Sequence, residues 1–71
     1  SMSKRDSRPM QVFLRVDGSG DEQLVAVFYN ETWGFSAFDS ARQYAGRRTP
    51  GSAGLAGAKA AGWYWRFERA A

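Results

Sequence analysis

Large apolar residues alternate with polar ones in two stretches of the chain, Met10–Val16 and Trp63–Arg69. Because successive side chains of a β-strand point to opposite faces, each stretch predicts a strand with one apolar and one polar face. Between them, residues 24–29 are apolar at every position. This pattern is typical of a strand with neighbours on both sides and cover on both faces, so it predicts the central strand of a sheet.

Turn-forming residues separate these apolar segments. Residues 17–22 contain two glycines and three acids, which predicts a hairpin loop between the first two strands. Residues 30–32 predict a second turn, and residues 33–36 predict a short additional strand.

A helix start is indicated by Ser36 and Asp39, whose three-residue spacing is that of a capping box. The pattern predicts a helix over residues 37–45 that ends at Gly46. Its inward positions would be Phe38, Ala41 and Ala45. Residues 51–62 are almost wholly glycine and alanine, which leaves a short helix and a loop as open alternatives.

Together these elements predict a small α+β domain over residues 10–71. We expect an antiparallel sheet of three to four strands with one or two short helices packed on one face, in the order ββ(β)α(α)β. Residues 1–9 contain three basic residues and no apolar residue except Met2, with Pro9 at their end, and predict a disordered basic N-terminal arm. Ser1, which precedes Met2, is interpreted as the remnant of a cleaved tag.

The aliphatic side chains are too few to form a core alone. The domain has eight aliphatic residues larger than alanine, and none is isoleucine. Since a chain of this size buries only about 60% of its unfolded surface, several aromatic residues must contribute to the core. We expect six to point inward: Phe28, Trp33, Phe35, Phe38, Trp65 and Phe67. Four others remain for the surface, with Trp63 open between the two groups: Phe13, Tyr29, Tyr44 and Tyr64.

The composition argues against several functional classes. The chain contains neither cysteine nor histidine, which removes disulfides, thiol chemistry, and the usual zinc and haem ligands. The phosphate-loop pattern requires Gly-Lys followed by Ser or Thr. The chain lacks it, because Ala58 separates Gly57 from Lys59 and Ala60 follows Lys59. We therefore expect a non-enzymatic protein with no metal and no cofactor. The absence of disulfides and of a long apolar run predicts a cytoplasmic protein that does not contact membranes.

Residues 28–38 resemble aromatic RNA-binding motifs. They share four residues with the pattern around the first RNA-binding strand of cold-shock domains: Tyr29, Asn30, Gly34 and Phe35. The pair Gly34-Phe35 also occurs in the signature of the RRM domain. The pattern departs from these families at Trp33, where a basic residue is expected, and at Ala37, where a stacking aromatic is expected. The resemblance implies RNA binding but no membership in either family.

Arginines and aromatic residues occur together on the polar faces of the strands, and the net charge is +3. Such a mixture can form a platform on which bases stack and phosphates are held. The candidate binding residues are Phe13, Arg15, Tyr29, Arg47, Arg48, Tyr64 and Arg66. For Arg47 and Arg48, an alternative is a purely structural interaction with the C-terminal end of the helix dipole. The resulting prediction is a protein that binds nucleic acid, single-stranded or RNA.

The same residues are compatible with binding to protein, because tyrosine, tryptophan and arginine dominate protein–protein hot spots. The alternative function is a phage- or mobile-element-encoded inhibitor or accessory factor that docks on a larger host complex. A homodimer formed through the same face is a third alternative.

Overall fold

A three-stranded antiparallel sheet with two helices on one face forms the fold, which confirms the predicted α+β class. The computed structural model describes residues 7–17, 20–51 and 53–71. In chain order the elements are β1 (Met10–Val16), β2 (Gln23–Phe28), α1 (Ala37–Arg48), α2 (Gly54–Ala58) and β3 (Trp63–Arg69). The strand order is β2-β1-β3, and both pairings are antiparallel.

The central strand is β1, so the prediction that residues 24–29 form the central strand is wrong. β2 pairs with β1 alone and carries one extra residue at a β-bulge opposite the Val12/Phe13 step. The bulge places Leu24 opposite Phe13, while Val27 lies opposite Gln11. Leu24 and Val27 therefore lie on the same face, the one away from the helices, and are 51% and 41% exposed. The run of apolar residues in β2 reflects this bulge and not cover on both faces.

Residues 29–36 form a loop, and the predicted short strand at 33–36 is wrong. Hydrogen bonds within the segment replace strand pairing. The Glu31 amide donates to the Phe35 carbonyl at 3.0 Å, and the Ala37 amide donates to the Asn30 side-chain oxygen at 2.7 Å. The resemblance of this segment to RNA-binding strands therefore does not extend to its structure.

Helix α1 begins as predicted but is longer. The Ser36 hydroxyl accepts a hydrogen bond from the Asp39 amide at 3.2 Å, which confirms the N-cap. The helix continues through Gly46, the predicted end, to Arg48. It ends at Thr49 because the proline at position 50 disfavours helical backbone in the residue before it. The segment rich in glycine and alanine, for which a helix and a loop were both alternatives, contains a short helix, Gly54–Ala58. A turn follows at Gly62, whose φ is 83°.

Small residues make the contact between α1 and the sheet. Ala37 and Ala41 are 0% exposed and form the core cluster with Met10 and Val12 on β1; Ala45, at the next turn of the helix, is equally buried. The inward positions predicted for Ala41 and Ala45 are confirmed. Of the aromatic residues predicted to face the core, three do pack against it: Phe28, Trp65 and Phe67.

Three aromatic residues predicted for the core are exposed instead, to different extents. Trp33 is 96% exposed, Phe35 is 51% and Phe38 is 38%. Tyr44, predicted for the surface, packs against the core and makes an edge-to-face contact with Phe28 at 5.4 Å. The loop that carries Trp33 and Phe35 lies outside the sheet-helix contact, which the alanines fill.

The residues just before β1 are hydrogen-bonded to the end of β3 and the residue after it. The Ala70 amide donates to the Pro9 carbonyl at 2.9 Å, and Arg69 donates to the Arg8 carbonyl at 2.9 Å. The rest of the predicted basic arm, residues 1–6, lies outside the described residues, as do Gly18 and Ser19 of the hairpin loop and Ser52. No helix in the described part of the chain has the length and apolarity needed to cross a membrane.

Thr49 joins the end of α1 to β3 and is the only buried polar residue in the described part of the chain. Its hydroxyl donates to the Ala45 carbonyl at 2.9 Å and accepts a hydrogen bond from the Trp65 indole at 2.9 Å. This pair of bonds satisfies both a helix-end carbonyl and the partly buried indole N–H.

The substitution Thr49→Val keeps the side-chain shape but leaves the Trp65 indole without its acceptor. We expect it to lower the free energy of unfolding by about 1–3 kcal/mol, the cost of an unsatisfied buried donor. Thr49→Ser keeps the hydroxyl and should cost less. Urea denaturation of the three proteins measures the difference, and equal stability of Thr49→Val and wild type would contradict it.

Candidate functional site

Four of the predicted binding residues lie together on the face of the sheet opposite the helices, which we call the open face. The β1–β3 register places Phe13 opposite Arg66 and Arg15 opposite Tyr64. Each cross-strand pair combines an aromatic ring with a guanidinium. The Arg66 guanidinium carbon lies 4.2 Å from the Phe13 ring centroid, and that of Arg15 lies 4.9 Å from the Tyr64 centroid. Both distances are within the range of cation–π attraction.

Arg66 is also held by two carboxylates. Its Nε and Nη2 donate to the Glu22 oxygens at 2.8 and 2.9 Å, so the guanidinium spans the sheet from β3 to the start of β2. Its Nη1 bonds to Glu68 on the same strand. The hydrogen bonds that Arg66 donates to Glu22 and to Glu68 raise the pKa of Arg66, and the bond that Glu22 accepts from Arg66 lowers the pKa of Glu22. The positive charges of Arg15 and Arg66 on the open face are thus matched by two acids.

The remaining predicted residues lie elsewhere. Arg47 and Arg48 are the last two residues of α1, and Tyr29 follows β2 with 66% of its surface exposed. The structure therefore separates the seven candidates into an open-face group of four and a group of three near the end of β2 and α1.

A cleft of about 220 Å³ lies between β2, α1 and the loop 29–36, and we call it the α1 cleft. It is lined by Phe28, Glu31, Phe35, Ser40, Gln43, Tyr44, Arg47 and Arg48. The Arg48 guanidinium carbon lies 3.8 Å from the Tyr44 ring centroid. Arg47 donates to the Gln43 side-chain oxygen at 3.4 Å, which is a long hydrogen bond.

The arginines of α1 differ from Arg66 in their electrostatic partners. Among the described residues, no salt bridge involves Arg42, Arg47 or Arg48. The helix carries these three cations and a single acid, Asp39. Helix α1 therefore carries a net positive charge that no salt bridge neutralises in the described part of the chain.

The loop beside α1 carries two exposed aromatic side chains that the sequence analysis assigned to the core; Phe35 lines the cleft, and Trp33 lies two positions earlier in the chain. Trp33 and Phe35 belong to the loop whose conformation is maintained by the Glu31 carboxylate, which accepts a hydrogen bond from the Phe35 amide at 3.1 Å. A Cβ at Gly34 would meet that carboxylate oxygen, so a larger residue there would displace the Glu31 side chain from its hydrogen bond with the Phe35 amide. In the sequence, the feature that could have indicated this exposed loop is the glycine between two large aromatic residues, which lies between a predicted turn and a helix cap.

The described residues contain no group of three or more acidic, histidine or cysteine side chains placed to hold a metal ion. In comparisons with protein-family models, curated protein sequences and solved structures, none matches the chain. The geometry of the two surfaces is therefore the basis for the functional proposal.

The ion pair on the open face predicts a measurable titration. Because the pKa of Glu22 is lowered in the folded protein, its contribution to stability is present above the ordinary carboxyl pKa. That contribution is lost as the pH falls through the lowered value. We expect an NMR titration of the Glu22 carboxyl to show a lowered pKa that returns to its ordinary range in Arg66→Gln. Arg15→Gln, which removes only a weaker Coulombic interaction, should change it much less; equal effects of the two substitutions would contradict the assignment.

Proposed function

We propose that this chain is a non-enzymatic protein that binds single-stranded nucleic acid, including RNA, in the α1 cleft. The observation that carries the proposal is the placement of Arg47 and Arg48, which have no carboxylate partner among the described residues, beside an exposed aromatic loop. Cations without a carboxylate partner are available to phosphate, whereas Arg66 would first have to leave two carboxylates.

Phosphate contact is favoured along α1. Arg47 and Arg48 line one side of the cleft, and Arg42 lies on the same helix with its guanidinium 5.7 Å from the Phe38 ring centroid. Glu31 lies on the loop side of the cleft and is already engaged with the Phe35 amide. A backbone that follows the helix side would approach the arginines first, and each phosphate contact would release counterions.

Base contact is favoured on the loop. Trp33 and Phe35 expose 96% and 51% of their surface, and stacking on an aromatic side chain is worth about 1–3 kcal/mol per base. In a duplex the base faces are already stacked on one another. The combination of exposed rings and unpaired arginines therefore suits single strands better than duplexes.

The proposed site does not lie on the open face, because Arg66 there is paired with two carboxylates. Of the predicted residues, the proposal retains Arg47 and Arg48 in the cleft and Tyr29 beside it, and it assigns no nucleic-acid contact to Phe13, Arg15, Tyr64 or Arg66.

We expect labelled oligonucleotides of about ten nucleotides to bind at low salt and to be released as salt rises, in fluorescence anisotropy measurements. The double substitution Arg47→Gln/Arg48→Gln should weaken binding by about tenfold or more. The slope of log K against log salt concentration should also become shallower by about 0.7 for each lost phosphate contact. Trp33→Ala should weaken binding by about fivefold or more through lost stacking.

Arg15→Gln is the matched control, because it removes the same type of charge from the open face. It should change the affinity by less than about twofold, in keeping with the small effect of a distant rim charge. Absence of binding by the wild type at low salt, or equal weakening by Arg15→Gln and the cleft substitutions, would overturn the proposal.

A second candidate function is protein binding at the open face, as a phage- or mobile-element-encoded inhibitor or accessory factor on a host complex. Exposed Leu24 and Val27 beside the compensated charges of Arg66 and Glu22 favour it, since desolvating apolar surface costs little. A specific partner recovered from the source cell should be lost on Tyr64→Ala; its retention would place the contact elsewhere.

A further inference from the structure

One long edge of β2 has no strand partner in the described chain. β2 pairs with β1 on one side only, and its six residues include no charge and no proline. Natural proteins protect exposed strand edges with lysine, proline, or a covering element, because unpaired backbone groups are a template for another strand. Of these devices, β2 has its bulge, which interrupts pairing on the β1 side, and a single long hydrogen bond from the Tyr44 hydroxyl to the Val25 carbonyl at 3.5 Å.

The bulge also determines which side chains of β2 lie on the open face. In a regular strand, residues three apart point to opposite faces. Leu24 and Val27 are three apart, yet both lie on the open face, opposite Phe13 and Gln11. Both are about half exposed, so the edge strand presents two aliphatic side chains that the described chain covers only in part.

We propose that two copies of this chain pair through β2 in antiparallel fashion, with Leu24 of each copy opposite Val27 of the other. A two-fold axis through the centre of the strand produces this register, and it also places Gln23 opposite Phe28 on the helix-side face. The match exists because of the bulge: without it, Leu24 and Val27 would lie on different faces and could not oppose each other across the pair. The two three-stranded sheets would then form one six-stranded sheet.

The charges flanking β2 are compatible with this register. It places Glu22 opposite Tyr29 of the second copy, and Asp21 opposite Asn30. Neither acid lies opposite the same acid of the second chain, so the pairing avoids a destabilising contact between like charges. Glu22 is also neutralised within its own chain by Arg66. Tyr29, at 66% exposure, is accessible to such a contact.

The contact is limited to one strand edge and a few side chains, which places it in the class of weak interfaces that bury less than about 1,200 Å². We therefore expect reversible, concentration-dependent dimerisation. The inference does not depend on the nucleic-acid proposal, since it uses no residue of α1 and no arginine of the cleft.

Sedimentation analysis over a range of concentrations tests the proposal. The wild type should pass from monomer to dimer as concentration rises, and Leu24→Glu and Val27→Lys should each weaken dimerisation by about tenfold or more, because each places a charge in the apolar contact. An equimolar mixture of the two variants should regain dimer, since the new acid of one copy then faces the new base of the other. Both side chains are exposed, so circular dichroism should show an unchanged fold.

Three results would overturn the proposal. The first is a wild type that stays monomeric up to the millimolar range. The second is a dimer that both substitutions leave intact, because another surface would then form it. The third is two monomeric variants whose mixture also stays monomeric, because that excludes the contact of Leu24 with Val27.

Discussion

The close contact between the alanine face of α1 and the central strand is the interaction on which the rest of the structure depends. Ala37, Ala41 and Ala45 are fully buried, and the largest fully buried side chain is Val12. A helix whose fully buried side chains are all alanines can lie close to a sheet, and the aromatic rings that pack against this core are only partly buried. The aromatic residues are consequently distributed around the margin of this contact, where some seal it and others remain exposed.

This distribution gives the two sides of the molecule different surfaces. On the open face, the Arg66 side chain extends from β3 over Phe13 on β1 and pairs with Glu22 at the start of β2. Its contacts join the three strands, and that face carries little net charge. On the helix side, Arg47 and Arg48 have no carboxylate partner among the described residues and lie beside an aromatic loop. The side of the sheet that looked most like a binding platform in the sequence is the side on which Arg66 is already paired with two carboxylates.

The sequence predicted what depends on local pattern and could not predict what depends on distant partners. Alternation identified β1 and β3 and the shared face of their arginines and aromatics, and the Ser36 cap identified the start of α1. The ion pair between Arg66 and Glu22 joins residues 44 positions apart, and no local pattern indicates it. The bulge in β2 inverts the period-2 pattern that would have assigned its faces. The small number of aliphatic residues correctly indicated that aromatic residues contribute to the core. It could not show that Trp33 is not one of them, because the exposure of each ring depends on how closely α1 packs on the sheet.

The most direct test of the central claim is a map of backbone amide chemical shifts as a single-stranded oligonucleotide is added. If the α1 cleft is the binding site, the largest changes occur at Phe35, Gln43, Arg47 and Arg48, and the amides of Phe13, Arg15, Tyr64 and Arg66 change little. Changes concentrated on the open face, or no changes at a concentration of oligonucleotide well above that of the protein, would contradict the account.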